Sequence, residues 1–139
     1  MWEGNQLVVS QQTETFYNLI GKDWRPSSSG ETFPVTNPAD QRIVLGICQQ
    51  STAKDVDDAV REAKKSLPTW KGMAAPKRGE YVRKTAQLIE DHSAEFLELL
   101  VKEVGKSRAD AQAEVTRTIR VMRFLAGEAE RLTGANIPS

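Results

Sequence analysis

The chain has 139 residues, of which 39% are hydrophobic and 27% charged, and Lys+Arg and Asp+Glu both number 19. This is the balance of one ordinary globular domain, without the clustered cations that displace counterions from nucleic acid. A single cysteine, Cys48, excludes an internal disulfide framework, and the longest apolar runs, such as Leu99-Leu100-Val101, are far too short to span a bilayer.

Residues 1–15 read as a loose tail with a short apolar patch, Leu7-Val8-Val9, and with neither the basic start nor the long apolar core of a secretory signal. Phe16 to Trp24 is rich in β-formers, followed by the turn residues Arg25 to Gly30 and by Phe33 and Val35 at period two. The simplest expectation is an antiparallel hairpin of these two segments, with Pro34 on an edge because it lacks an N–H. Asn37-Pro38-Ala39-Asp40 is a second turn, and Ile43 to Ile47 a third β-like run interrupted by Gly46.

The pattern changes at Ser51. Thr52 and Asp55 have capping-box spacing, and Val56, Ala59, Val60, Ala63 and Leu67 form an apolar stripe at helical period. Pro68 marks the frayed end of that helix or a kink in it. A second helix is expected near Pro76, with Val82, Ala86 and Ile89 on its apolar face, widened by Tyr81 and Leu88. Ser93 is the candidate cap of a third helix carrying Phe96, Leu97, Leu100, Val101 and Val104, with Gly105 as its stop. Ser107 and Asp110 repeat the capping-box spacing ahead of a fourth helix to about Thr133 and Gly134, with Val115, Ile119, Met122, Ala126 and Ala129 along one side, and Phe124, Leu125 and Leu132 adjacent. The fold class is therefore α+β by segregation: short antiparallel strands, then about four helices. The segments are a tail (1–15), a β-hairpin with a third strand (16–50) and a helical part (51–139).

Residue chemistry gives little to catalysis. The nine glycines are too dispersed for a phosphate loop, and no Cys/His cluster has metal-ligand spacing. His92, alone at a helix junction, reads as a solvated surface residue. Cys48 lies in an apolar β run and reads as a small buried hydrophobe, since a nucleophilic thiol needs an accessible, electropositive setting. The pairs Asp57-Asp58 and Glu90-Asp91 read as solvated helix faces. Arg117, Arg120 and Arg123 recur every three residues; spacing alone favours a solvated stripe balanced by Glu114 and Glu128 over a contact for an acidic group.

Several strings resemble the start of the aldehyde dehydrogenase superfamily. NLIGKDW (Asn18–Trp24) is similar to its opening strand, and SSSGETFPVTNPAD (Ser27–Asp40) to its next turn, strand and N-P-A corner. STAKDVDDAVREAKKSLPTW (Ser51–Trp70) and RGEYVRKTAQLIED (Arg78–Asp91) resemble its first two helices. EVGKSRADAQAEV (Glu103–Val115) resembles the E-x-G-K-P element, with Ser107 in place of the proline, and RFLAGEAERLTGANIPS (Arg123–Ser139) resembles the stretch that ends in I-P-S.

The resemblance implies one incomplete domain, ending before the Rossmann-type core. The cofactor elements, the general-base glutamate and the nucleophilic cysteine would all lie further along, so no catalytic or cofactor-binding residue is expected in this chain. NAD or NADP would serve the full-length enzyme, with none bound to this fragment, which would be inactive alone. Thr36, through its backbone, and Glu103 map to a structural monovalent-cation site of some members. Arg117 falls near a position facing the aldehyde tunnel, where relatives acting on acidic semialdehydes carry an arginine.

The leading expectation is thus an N-terminal scaffold segment of an NAD(P)-dependent aldehyde dehydrogenase, cytoplasmic, with no nucleic-acid or membrane partner. The alternative is a stand-alone interaction module derived from that family, and catalysis through Cys48 ranks last. So short a chain cannot cover the apolar sides of its first, second and fourth helices, so the rest of the enzyme, other subunits or self-association are the expected partners.

Overall fold

A computed structural model describes residues 13–131. The chain divides into two compact units, Met1–Pro68 with Leu99–Lys106, and Thr69–Glu98 with Ser107–Ser139.

In the first unit, β1 (Asn18–Ile20) pairs antiparallel with β2 (Asp23–Arg25). The two-residue loop between them is Gly21-Lys22, and Gly21 sits at φ +69. That is the Gly-X loop a right-twisted hairpin favours, with the left-handed residue first. β3 (Thr32–Asn37) pairs antiparallel with β4 (Asp40–Gln49) through the turn at Pro38-Ala39. The expected hairpin between the segments 16–24 and 33–35 is therefore corrected. Each closes its own short hairpin instead, because Gly21 and the Asn37–Asp40 corner supply tight turns that the longer Arg25–Gly30 loop cannot match.

Pro34 lies on an edge as expected, and the register shows why it is tolerated. It stands opposite Ile47, whose N–H donates to the Glu14 carbonyl (2.9 Å) and whose carbonyl accepts from the Phe16 N–H (2.8 Å) on the other side of β4. Ile47 thus asks nothing of Pro34, and the missing N–H costs no ladder bond. Gly46 has a local cause too: a Cβ there would collide with the Phe16 ring.

α1 (Ala53–Gly72) begins where expected. The Asp55 carboxylate accepts from the Thr52 N–H (2.7 Å), half of a capping box, while the Thr52 hydroxyl also donates to it (3.0 Å). Pro68 does not end the helix, which runs on to Gly72. The predicted stripe is largely uncovered: Val56, Val60 and Leu67 are 58%, 46% and 54% exposed.

In the second unit, α2 (Ala75–Asp91) starts with Pro76 in its first turn and packs against α4 (Arg108–Glu128). Ala86 of α2 and Ala111, Val115, Ile119 and Ala126 of α4 are buried. The helices approach closely at Gly79, where a Cβ would lie 2.7 Å from the Ala126 carbonyl oxygen. Ser107 caps α4, its Oγ accepting from the Asp110 N–H (3.1 Å). α4 stops at Glu128 rather than near Thr133, because the N–H groups of Glu130 and Arg131 bond three residues back and tighten the chain into turns. Leu132, Thr133 and Gly134 lie outside the described residues, as does Leu7-Val8-Val9.

α3 (Ser93–Leu99) starts at the residue expected to cap it, because the His92 carbonyl accepts from the Glu95 and Phe96 N–H groups and Ser93 is already helical. The last turn, Leu100–Val104, widens to a π-helix and lies against β3. Gly105 ends it in the left-handed region at φ 74, as its sequence position suggested. No helix among the described residues is long and apolar enough to cross a membrane.

Candidate functional site

The 3.6-residue period gives α4 two faces. One carries the buried Ala111, Val115, Ile119 and Ala126. The other carries Ala113, Thr116, Arg117, Arg120, Val121 and Phe124, which line an open groove. Val121 and Phe124 are 48% and 64% exposed, so the groove has apolar walls beside its cations. Arg117 and Arg120 are exposed, and neither makes an ion pair or side-chain hydrogen bond among the described residues. Arg123 differs. Its guanidinium donates to the Glu90 carboxylate and, at 3.4 Å, to the Gln87 side chain, binding α4 to α2. Glu128, expected to balance the stripe, pairs instead with Arg131. The regular Arg triplet therefore splits into one structural cation and two free ones. Free guanidinium groups beside apolar carbon can hold a small organic carboxylate by paired charge-assisted hydrogen bonds.

Thr36 and Glu103 lie in the first unit, on β3 and on the π-helical turn packed against it. Thr36 is half-buried and Glu103 exposed. Glu103 borders a partly enclosed cavity of about 300 Å³ with Phe16, Val35, Leu45, Gly46, Cys48 and Leu99. No group of three or more His, Cys, Asp or Glu suited to a metal occurs among the described residues. Glu103 would be the charged ligand of a cation held otherwise by neutral oxygens, a donor set that suits a hard monovalent ion. Cys48 is half-buried, less hidden than expected. The one ionisable side chain lining its cavity besides its own is the acidic Glu103, the opposite of the electropositive setting that stabilises a thiolate.

His92 is exposed and its Nδ1 lies 3.0 Å from a Glu95 carboxylate oxygen. That hydrogen bond, with the charge of Glu95, raises the imidazole pKa. This is a local surface pair, with the Asp91 carboxylate as a weaker charge nearby.

Two polar residues matter more than sequence reasoning assigned. Asp55 is 7% exposed and, beyond its cap contacts, accepts from the Ser28 N–H (2.9 Å) and hydroxyl (3.0 Å). The Thr52 N–H, opposed by burial and joined by the Ser28 donors, holds its pKa down at about 2. Gln49, 8% exposed, accepts from the Ser27 N–H (3.0 Å) and donates to the Phe16 carbonyl (3.0 Å). Together they pin the Ser27–Ser29 loop to α1 and β4. The capping-box spacing hinted at Asp55; no pattern in the sequence marked Gln49.

The aldehyde dehydrogenase family model matches residues 24–139. The chain belongs to that family. Alpha-ketoglutaric semialdehyde dehydrogenase of Bacillus subtilis is 38% identical over 132 residues, covering 95% of this chain and 27% of the relative. Malonate-semialdehyde dehydrogenase 1 of Geobacillus kaustophilus is 36% identical over 130 residues, covering 94% and 26%. The solved structure of 3,6-anhydro-L-galactose dehydrogenase in complex with NAP matches with a TM-score of 0.83 and 32% identity, over 91% of this chain and 26% of that one. The chain thus spans about a quarter of the length of the relatives it matches, in their N-terminal part.

The glycines with positive φ, Gly21, Gly30 and Gly105, serve a hairpin loop, a turn and a helix end. None opens a helix N-terminus toward a pyrophosphate, as a nucleotide-binding loop would.

Proposed function

We propose that this chain serves as the N-terminal portion of an NAD(P)-dependent enzyme that oxidises a carboxylated semialdehyde to the acid. In that enzyme it supplies framework and one substrate-recognition group, Arg117, and no reacting atom. In this reading the cofactor and the nucleophile belong to the rest of the enzyme, and the 139 residues alone are expected to turn over no aldehyde.

The observation that carries the reading is the state of Arg117: an exposed guanidinium in an apolar-walled groove, with no ion pair among the described residues. The semialdehyde dehydrogenases among the relatives are named for substrates that carry a carboxylate. A guanidinium one side chain's length from the helix axis can hold that distal carboxylate and so orient the chain of the aldehyde, while Val121 and Phe124 flank its methylenes. Thr36 and Glu103 are proposed to hold a structural monovalent cation, fixing the corner after β3 against the π-helical turn. The uncovered apolar sides of the helices are proposed to meet the remaining enzyme fold or another subunit, in a soluble cytoplasmic protein.

The test is steady-state kinetics of the complete enzyme carrying Arg117→Ala. KM for a carboxylated semialdehyde should rise about tenfold or more, and KM for a neutral aldehyde of equal length should change less than about twofold. Equal changes for the two substrates would refute the assignment.

A further inference from the structure

α1 has an apolar side left open to solvent, and the charges beside it point to what covers it. Val56, Val60, Ala63 and Leu67 follow one another at intervals of four, three and four residues. That is the spacing of a seam along which one helix packs on another. The seam is about 17 Å long at the helical rise per residue, and all four of its side chains are exposed. Most charges on this stretch of the helix are satisfied within the chain. Asp58 pairs with Lys54 (2.9 Å) and Arg61 (2.7 Å), Glu62 pairs with Lys65 (2.5 Å), and Asp55 is taken up by the Ser28 and Thr52 donors. Asp57 and Lys64 are the exceptions: both are exposed, and neither makes an ion pair or side-chain hydrogen bond among the described residues. They stand seven residues apart, so the helical period sets both on one flank of the seam, while the opposite flank carries the uncharged Ala59 and Ser66.

We propose that this side of α1 docks on the same side of α1 in a second copy of the chain, the two helices running antiparallel about a two-fold axis. Such an interface is self-complementary, each contact occurring twice with the partners exchanged. Centred between Val60 and Ala63, it lays Val60 against Ala63 of the second copy and Val56 against Leu67. Each Asp57 then comes beside the Lys64 of the other copy, and both unpaired charges are matched at once. Parallel helices would instead set Lys64 beside the small Ala59 of the copy and leave both charges unmatched. The apolar seam supplies the affinity, and the two charge pairs fix the direction and the register. A seam of four residues is smaller than the standard interface of about 800 Å² per partner, so the dimer is weak and depends on concentration. The inference rests on the proposal that uncovered helix sides meet the remaining enzyme fold or another subunit, and commits this side of α1 to a second copy.

Sedimentation equilibrium of the chain and its variants, at concentrations up to about 0.5 mM to suit a weak interface, provides the test. Asp57→Lys puts two lysines at each charge contact, and Lys64→Asp puts two aspartates there. Each variant alone should dimerise at least about tenfold more weakly than wild type. An equal mixture of the two should regain wild-type association, because every contact then joins a lysine to an aspartate. Circular dichroism checks that both variants keep their helices; neither side chain is held by another within the described residues. A reversal that leaves association unchanged, or a mixture that fails to recover it, refutes the antiparallel pairing. If Val60→Lys with Leu67→Lys still abolishes association in that case, the apolar side does meet a partner, and only the α1 of a second copy is ruled out. A wild-type chain that stays monomeric at every concentration overturns the second copy as the occupant and leaves the remaining enzyme fold as the cover. The role of Arg117 is tested separately by its own kinetics.

Discussion

Gly79 is where a single added methyl group should be most informative. In isolation, Gly to Ala inside a helix gains about 1 kcal/mol from reduced backbone entropy. In α2 that gain meets an obstacle. The new Cβ would sit 2.7 Å from the carbonyl oxygen of Ala126 and 2.9 Å from the Ala129 Cβ. The first is main chain in the last turn of α4 and cannot swing aside as a long side chain would. Overpacking of this kind costs typically about 1–3 kcal/mol, so the steric cost outweighs the propensity gain. Gly79→Ala should destabilise the chain by a net of about 1–2 kcal/mol. Gly127→Ala is the internal control. It lies in α4, its nearest prospective contact is the Arg131 Nη2 at 3.8 Å, and it should gain about 0.5–1 kcal/mol. Urea unfolding followed by far-UV circular dichroism, at matched protein concentration, reads both. Gly79→Ala at or above wild-type stability would show that the helices do not pack this closely, and would refute the α2–α4 contact as described.

Other outcomes follow from the same contacts. The Asp55 pKa is depressed from 3.8 to about 2, so the stability its charge provides is complete above the unfolded value and is lost as pH falls from about 4 toward 2. Asp55→Asn should flatten that part of the acid-unfolding curve; an unchanged curve would remove Asp55 from the account. Gly105→Ala places a side chain at φ 74, and its Cβ 2.9 Å from the Pro38 Cγ, so a loss of at least about 1–2 kcal/mol is expected in the same urea assay. The chain alone should self-associate through uncovered apolar surface, and Val60→Lys with Leu67→Lys should shift sedimentation toward monomer. A compact wild-type monomer at high concentration would contradict this.

The starts of α1, α2 and α4 and the stop at Gly105 were readable because each rests on local chemistry. Thr52 with Asp55, Ser107 with Asp110, Pro76 and Gly105 all act within a turn of themselves, and all stand where their spacing placed them. Strand pairing was not readable in the same way. Which β-former faces which depends on where the chain can reverse, and the weight fell on the long polar run Arg25–Gly30 instead of Gly21. The role of His92 ahead of α3 was missed because a backbone carbonyl, common to every residue, does the work. The groove on α4 was half legible. The Arg117, Arg120 and Arg123 series was visible, but its division needed Glu90 of another helix, thirty-three positions away in the chain. Gln49 carried no signal, since its two partners are backbone atoms of distant loops.

The stripe on α1 shows what periodicity can and cannot say. A helical period states that a helix has an apolar side; it does not say whose surface covers that side. In α1, Val56, Val60 and Leu67 keep the period and remain about half exposed, while the buried residue of the helix is the acidic Asp55. Full burial of a Val or Leu side chain is worth roughly 1.5–3 kcal/mol. Three such residues left half exposed forgo about 2–4 kcal/mol, a large share of the 5–15 kcal/mol that holds an ordinary domain together. A partner surface laid on this side of α1 would therefore stabilise the fold as it bound, and the stability of the chain should depend on concentration wherever a second copy supplies that surface. The order that the sequence specifies in α1 is thus realised in its backbone and caps, while much of the hydrophobic contribution of Val56, Val60 and Leu67 waits on a surface that covers them.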